Sequence, residues 1–107
     1  MLECTLSVSG DGPVRFVLAV TNGNDAAVEL TFPEGARADF AVHDGGEVWR
    51  WSDGRAFAQV VETVRLAPGE TIEFEGEWPD PDPGRYEATG ELRAAERACT
   101  ARATVSV

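Results

Sequence analysis

Asp39, His43 and Ser52 are the residues of this chain whose types could together perform nucleophilic chemistry. A hydroxyl would attack, an imidazole would take its proton and a carboxylate would orient the ring. Spacing argues against it. Asp39 and His43 fall on the same outward face of one expected strand, and four strand residues span roughly 13 Å, too far for that carboxylate to hydrogen-bond that ring. No motif marks another carboxylate for the task, so His43, the single histidine, reads as a solvent-facing residue beside a hairpin. Cys4 and Cys99 fall on the apolar faces of their strands and form no pair with it. One histidine and two distant cysteines do not make a zinc site, and no calcium-binding loop is present. Asp80 and Asp82 could touch a cation weakly, but their setting, Pro79-Asp80-Pro81-Asp82-Pro83-Gly84, reads first as a rigid turn. No glycine-rich phosphate loop joins a strand to a helix. The expectation is a protein that is not an enzyme and carries neither metal nor cofactor.

What remains is the chemistry of binding. Trp49 and Trp51 share one face of an expected strand, with Val48 and Arg50 on the other. The tryptophans read first as core residues, because large aromatics stabilise a small domain through the area they bury. The competing reading makes them an exposed anchor, since interface hot spots are rich in Trp, Tyr and Arg. Directly after them, Ser52 to Gln59 reads as an irregular connection that could hold one helical turn, and Arg55 and Phe57 are its side chains suited to filling pockets. Trp49, Trp51, Ser52, Arg55 and Phe57 are therefore the candidate partner-binding residues.

The elements that must hold these residues are strands. Apolar and polar side chains alternate along nearly the whole chain, and turn signals recur about every eight to twelve residues. Expected strands run from Glu3 to Val8, Val14 to Thr21, Val28 to Phe32, Ala38 to His43, Glu47 to Trp51, Val60 to Leu66, Thr71 to Trp78, Arg85 to Leu92 and Cys99 to Val107. Ser9 to Pro13, Asn22-Gly23-Asn24-Asp25, Asp44-Gly45-Gly46 and Ala67-Pro68-Gly69-Glu70 supply turns. In the fourth strand Phe40 and Val42 point inward, Asp39 and His43 outward. Glu91 to Ala98 has helix-forming composition, yet it reads as a turn between the last two strands. About eight or nine strands without a long helix fit an all-β, immunoglobulin-like antiparallel β-sandwich better than a closed barrel. With 107 residues, one domain over 1–107 is expected.

Composition narrows the partners. Nineteen Asp and Glu face nine basic residues, for a net charge of -10, and no lysine is present. An acidic chain of this kind fits a cytoplasm of very high salt, where the screening length falls to roughly 3 Å at 1 M and self-repulsion is muted. A halophilic source is the first expectation, ahead of an acidic patch shaped to a basic partner, because the charges are spread along the chain. Nucleic acid is excluded as a partner, since no cluster of basic residues could release its counterions. Met1-Leu2-Glu3-Cys4 opens no secretion signal, and the longest apolar run, Phe16 to Val20, falls far below the roughly 20 residues of a spanning helix. A cytoplasmic location with no membrane contact is expected. In that reducing compartment Cys4 and Cys99 read as buried free thiols. They bridge instead if the first and last strands lie side by side and parallel, because each sits near the start of its strand. A monomer is expected, the glutamates of Thr71 to Trp78 opposing edge pairing.

Phe32, Asp39-Phe40, Asp44-Gly45-Gly46, Trp49-Arg50-Trp51-Ser52-Asp53-Gly54 and Phe57 place aromatics at set offsets around a tight turn. The series continues through Leu66-Ala67-Pro68-Gly69-Glu70, Trp78 and Pro83-Gly84-Arg85-Tyr86. Over roughly residues 18 to 93 this order resembles the intracellular proteinase inhibitor (BsuPI) family. The resemblance implies an immunoglobulin-like fold and a protein that inhibits a subtilisin-like serine protease. Such inhibitors offer an extended loop, held rigid so that little entropy is lost on binding. Pro33 to Arg37, Ser52 to Gln59 and Pro79 to Gly84 could serve, and Ser52 to Gln59 is favoured because strands clamp both its ends. The alternative is a non-inhibitory immunoglobulin-like interaction or structural module, for which the same alternation would suffice.

Overall fold

Burying every second side chain requires a partner surface for each strand, and the chain provides it by stacking two sheets. The computed structural model describes residues 1–10 and 12–107. Its strands are β1 (Leu2–Ser9), β2 (Val14–Asn22), β3 (Val28–Phe32), β4 (Ala38–His43), β5 (Glu47–Arg50), β6 (Glu62–Leu66), β7 (Thr71–Trp78), β8 (Arg85–Arg93) and β9 (Ala98–Ser106). They form an antiparallel sheet β1-β2-β7, an antiparallel sheet β5-β4-β8-β9 and a two-stranded ribbon β3-β6. This is an all-β, immunoglobulin-like sandwich, and the short dimension of its 43 × 29 × 22 Å envelope suits two layers about 10 Å apart with side chains on their outer faces. The expected turn Ser9 to Pro13 contains Asp11, which lies outside the described residues.

The core follows the alternation. Val14, Phe16, Leu18 and Val20 of β2 are fully buried and face Phe40, Val42, Ala88 and Leu92 of the opposite sheet. Phe16 stacks on Phe40 at 5.5 Å between ring centres, and Phe32 of the ribbon meets Phe74 of β7 edge-on at 5.9 Å. Each such side chain contributes about 1.5–3 kcal/mol through the area it removes from water. Tyr86 packs edge-on against Trp78 and donates its hydroxyl hydrogen to the Asp82 carbonyl at 2.8 Å, pinning the proline-rich turn to β8.

Two buried polar residues correct the outward-facing or turn roles that alternation assigns. Asp39 is 2 % exposed, because the segment after β5 folds over it. Asn22 is fully buried and ties the end of β2 and the turn that follows it to the end of β6. Its amide donates to the Ala26 and Leu66 carbonyls, both at 2.9 Å, while its carbonyl accepts from the backbone and side-chain nitrogens of Asn24.

The cysteines are bridged, not free. β1 and β9 are edges of opposite sheets and start at the same end, where Met1 and Leu2 lie against Arg97 and Ala98. Both sulfurs point into the seam, and Cys4–Cys99 closes the sandwich on that side with 6.1 Å between Cα atoms. Residues 94–97 form the expected turn. That turn covers the ribbon: Ala95 N–H donates to Thr31 O at 2.8 Å, and Glu96 accepts from the Thr31 amide at 2.7 Å and its hydroxyl at 2.6 Å. These two bonds, the hydroxyl's first, hold the Glu96 carboxyl below its ordinary value. Two expected strands are shorter: β5 ends at Arg50, which leaves Trp51 in the turn that follows, and β6 begins at Glu62, so Val60 and Val61 lie outside the ladder.

Candidate protein-binding site

The connection from β5 to β6 is built on Asp39. Its side chain is 1 % exposed, and it accepts hydrogen bonds from Ser52 N at 3.1 Å, Ser52 Oγ at 2.7 Å, Phe40 N at 2.9 Å and Arg50 Nη1 at 2.9 Å. Arg93 stands 3.6 Å away. A buried carboxylate persists only when it is paired and hydrogen-bonded, and this set meets both conditions. Arg50 also reaches Glu47 through Nε and Nη2 at 2.9 and 2.6 Å. The two carboxylates, Glu47's first, push its guanidinium further above its already high ordinary value and keep it charged.

From this anchor the chain turns. Trp51 N–H donates to Phe40 O at 2.8 Å, and Asp53 and Arg55 close successive turns onto Arg50 and Ser52. Gly54 takes φ of 74°, a left-handed conformation that a side chain resists, so the turn requires glycine there. These turns do not build the helical turn that the sequence could hold here. Arg55 then doubles back, with its guanidinium 4.5 Å above the Trp51 ring and its Nε donating to Trp51 O at 2.7 Å. Phe57 lies on the same indole at 5.5 Å. The far end is clamped where Gly35 N–H donates to Ala58 O at 2.8 Å and Glu62 pairs with Arg37.

The sandwich gives Trp51 its seat. A Cβ at Gly76 of β7 would come within 2.6 Å of Phe40 and 3.1 Å of Trp51, so glycine at that position lets both rings settle against the strand. Trp51 meets Phe40 edge-on at 6.3 Å. Beside it runs an open groove of about 320 Å³ lined by Arg15, Trp51, Arg55, Glu75, Gly76 and Glu77. Trp49 points into the core instead, held between Phe16 at 5.9 Å and Trp78 at 5.8 Å with the rings nearly parallel.

Of the candidate residues, Trp51, Ser52, Arg55 and Phe57 are thus brought into one unit, while Trp49 serves the core beneath it. Asp39 and Ser52 touch, but His43 does not join them; its Nε2 lies 3.4 Å from Thr89 Oγ1. The hydroxyl of Ser52 gives its hydrogen to a carboxylate that two arginines neutralise, which fixes a loop and activates no nucleophile. Among the described residues no three His, Cys, Asp or Glu side chains gather to hold a metal ion, and no helix is long and apolar enough to cross a membrane. Sequence reasoning sets Asp39 beside Ser52 only as a would-be triad and misses it as the anchor of this loop. It also reads Val60 and Val61 as the start of a strand, although they are 61 % and 67 % exposed.

The fold has counterparts among solved structures. The crystal structure of the CARDB domain of the PF1109 protein from Pyrococcus furiosus, in complex with di-metal ions, superposes with a TM-score of 0.55 at 17 % identity, covering 100 % of this chain and 92 % of that one. The solution structure of that domain gives 0.52 at 17 % identity over 99 % and 93 %. The penta-heme cytochrome c552 of Thermochromatium tepidum gives 0.58 at 13 % identity, with 97 % of this chain matched to 39 % of the cytochrome. These likenesses show the fold alone. Among curated proteins, none matches the chain. The family profile described as "Intracellular proteinase inhibitor" matches residues 2–97, the strands β1 to β8 together with the β5–β6 loop and its anchor. The chain belongs to the intracellular proteinase inhibitor (BsuPI) family.

Proposed function

We propose that this protein inhibits a subtilisin-like serine protease through the loop from Ser52 to Gln59, with Trp51 as its base. The observation that carries the reading is the way the loop is held: Asp39 fixes Ser52 at one end, Gly35 fixes Ala58 at the other, and Trp51 supports the middle. A loop ordered before binding loses little entropy in the complex, which lets a modest contact area give useful affinity. Family membership supplies the kind of partner. The acidic, lysine-free composition fits a monomer working in a salty cytoplasm, and Glu73, Glu75 and Glu77 on the edge strand β7 oppose self-association through that edge.

A second reading, a non-inhibitory interaction or structural module, draws on the cytochrome likeness, because it places this sandwich inside a protein of another kind. Titration into a subtilisin-like protease, at low salt and at about 1 M salt, separates the two. Stoichiometric loss of activity supports inhibition. Unchanged rates at micromolar protein support the module.

A further inference from the structure

We infer that the segment Ala58 to Val61, more than the Arg55–Phe57 apex, is what enters the protease, and that Val60 and Val61 select a cleft with apolar subsites. The inference rests on the inhibitor reading of this loop and refines which residues carry it.

Arg55 and Phe57 are already engaged. Each covers a part of the Trp51 ring, and Arg55 also bonds the Trp51 carbonyl, so either side chain would have to give up those contacts to reach an enzyme pocket. Val60 and Val61 have no such duty. At 61 % and 67 % exposure they are adjacent apolar side chains standing in water, more exposed than Val48 at 51 %, while the remaining valines, leucines and isoleucines are buried or half-buried. Both are β-branched, which favours the extended backbone that a protease cleft accepts.

The surroundings agree. From Ala56 to Val61 the chain carries no charge, in a protein whose net charge is -10. The charges on either side are occupied, Arg55 over Trp51 and Glu62 with Arg37. An apolar cleft can therefore desolvate this stretch without burying an unpaired ion. The backbone is prepared as well. Gln59, Val60 and Val61 lie between the Gly35–Ala58 bond and the Phe32–Glu62 pair, and among the described residues no backbone hydrogen bond ties these three to the rest of the chain. Their amides and carbonyls are free to pair with an edge of the enzyme, by strand addition, while both ends stay fixed.

The test measures inhibition of two serine proteases, one subtilisin-like with a hydrophobic primary slot and one trypsin-like with an acidic pocket for Arg. The parent chain is compared with Val60→Asp/Val61→Asp, Val60→Thr/Val61→Thr, Arg55→Ala and, as a control at an exposed valine outside the loop, Val48→Thr. The expected result is inhibition of the first enzyme only, weakened at least about 100-fold by the Asp pair and about 10-fold by the Thr pair, less by Arg55→Ala than by the Thr pair, and within about 3-fold of the parent for Val48→Thr. Unchanged inhibition by the Asp pair, or a larger loss from Arg55→Ala than from the Asp pair, overturns the inference while leaving the inhibitor reading in place; preference for the trypsin-like enzyme overturns the inference and the subtilisin-like target with it. A parent chain that inhibits neither enzyme overturns both. Should the Asp pair fail to fold, as judged by near-ultraviolet circular dichroism, the Thr pair, which keeps the shape and adds a hydroxyl, decides the matter.

Discussion

Removing the Cys4–Cys99 bridge should cost this sandwich a large share of its stability. The bond joins edge strands of opposite sheets and closes a loop with a sequence separation of 95. Restricting the unfolded chain over such a loop is worth about 4.7 kcal/mol at 25 °C in the chain-entropy account. A compact denatured state already holds part of that restriction, which brings the expected loss to about 3–4 kcal/mol. Domains of this size have about 5–15 kcal/mol in total. With a urea dependence of about 1.5 kcal/mol per molar, the unfolding midpoint should fall by about 2–3 M.

The assay is equilibrium unfolding in urea followed by tryptophan fluorescence, since Trp49, Trp51 and Trp78 lie in or against the core. The oxidised chain, the reduced chain and Cys4→Ala/Cys99→Ala are compared, with intact mass verifying that the oxidised sample lacks the two thiol hydrogens. Reduced chain and double variant should coincide. A midpoint shift below about 0.5 M in a sample whose bridge is verified would show that the seam between β1 and β9 holds itself, and would refute the entropic argument.

Three further outcomes are expected. Asp39→Ala should destabilise by about 2–4 kcal/mol, because it orphans the amide and hydroxyl of Ser52, with Arg50 retaining Glu47 and water; amide exchange at Ser52 to Arg55 should quicken while that at Leu18 holds, and equal change at both sites would contradict the anchoring role. Asn22→Ala should cost about 2–4 kcal/mol in thermal or urea unfolding through the lost bonds to Ala26 and Leu66, and a cost below about 1 kcal/mol would show that water replaces them. Glu96, whose carboxyl is held below its ordinary value, stabilises the turn fully above the usual carboxylate range and ceases to as pH falls through its depressed folded value. The Thr31 amide signal should follow that acid titration, and Glu96→Gln should abolish it.

The sandwich was legible because burial imposes a period of two, and β2, β7 and β8 obey it residue by residue. In β7 and β8 the outer faces are mostly charged, which leaves no competing assignment of inside and outside; in β2, where Arg15, Val17, Ala19 and Thr21 face out, the larger Phe16 and Leu18 mark the inner side. The same rule misled at Asp39. Alternation assigns a residue to a face, and it carries no information about a later loop folding across that face to supply Ser52 and Arg50 as partners. The bridge was undecided for a related reason: pairing of Cys4 with Cys99 depends on β1 and β9 meeting across the sheets, a long-range arrangement that strand patterns do not encode. Val60 and Val61 looked like the start of β6 because valine favours strands, but Pro33, opposite Val61 when the register is continued, offers no amide to extend the ladder.

The distribution of pairing capacity bears on how such a protein meets a partner. β1 and β9 are tied to each other by the disulfide, β7 presents glutamates, β5 is only Glu47–Arg50, and the ribbon's β3 is covered by Ala95 and Glu96. Each of these features discourages another strand from adding to that edge. The entry to β6 lacks them: it is uncharged from Ala56 to Val61 and clamped at both ends. Added salt would screen, and so weaken, the hold on a partner bound through the charge of the molecule, whereas a partner held at this one stretch would be held by apolar area. Affinity resting on that area should survive molar salt.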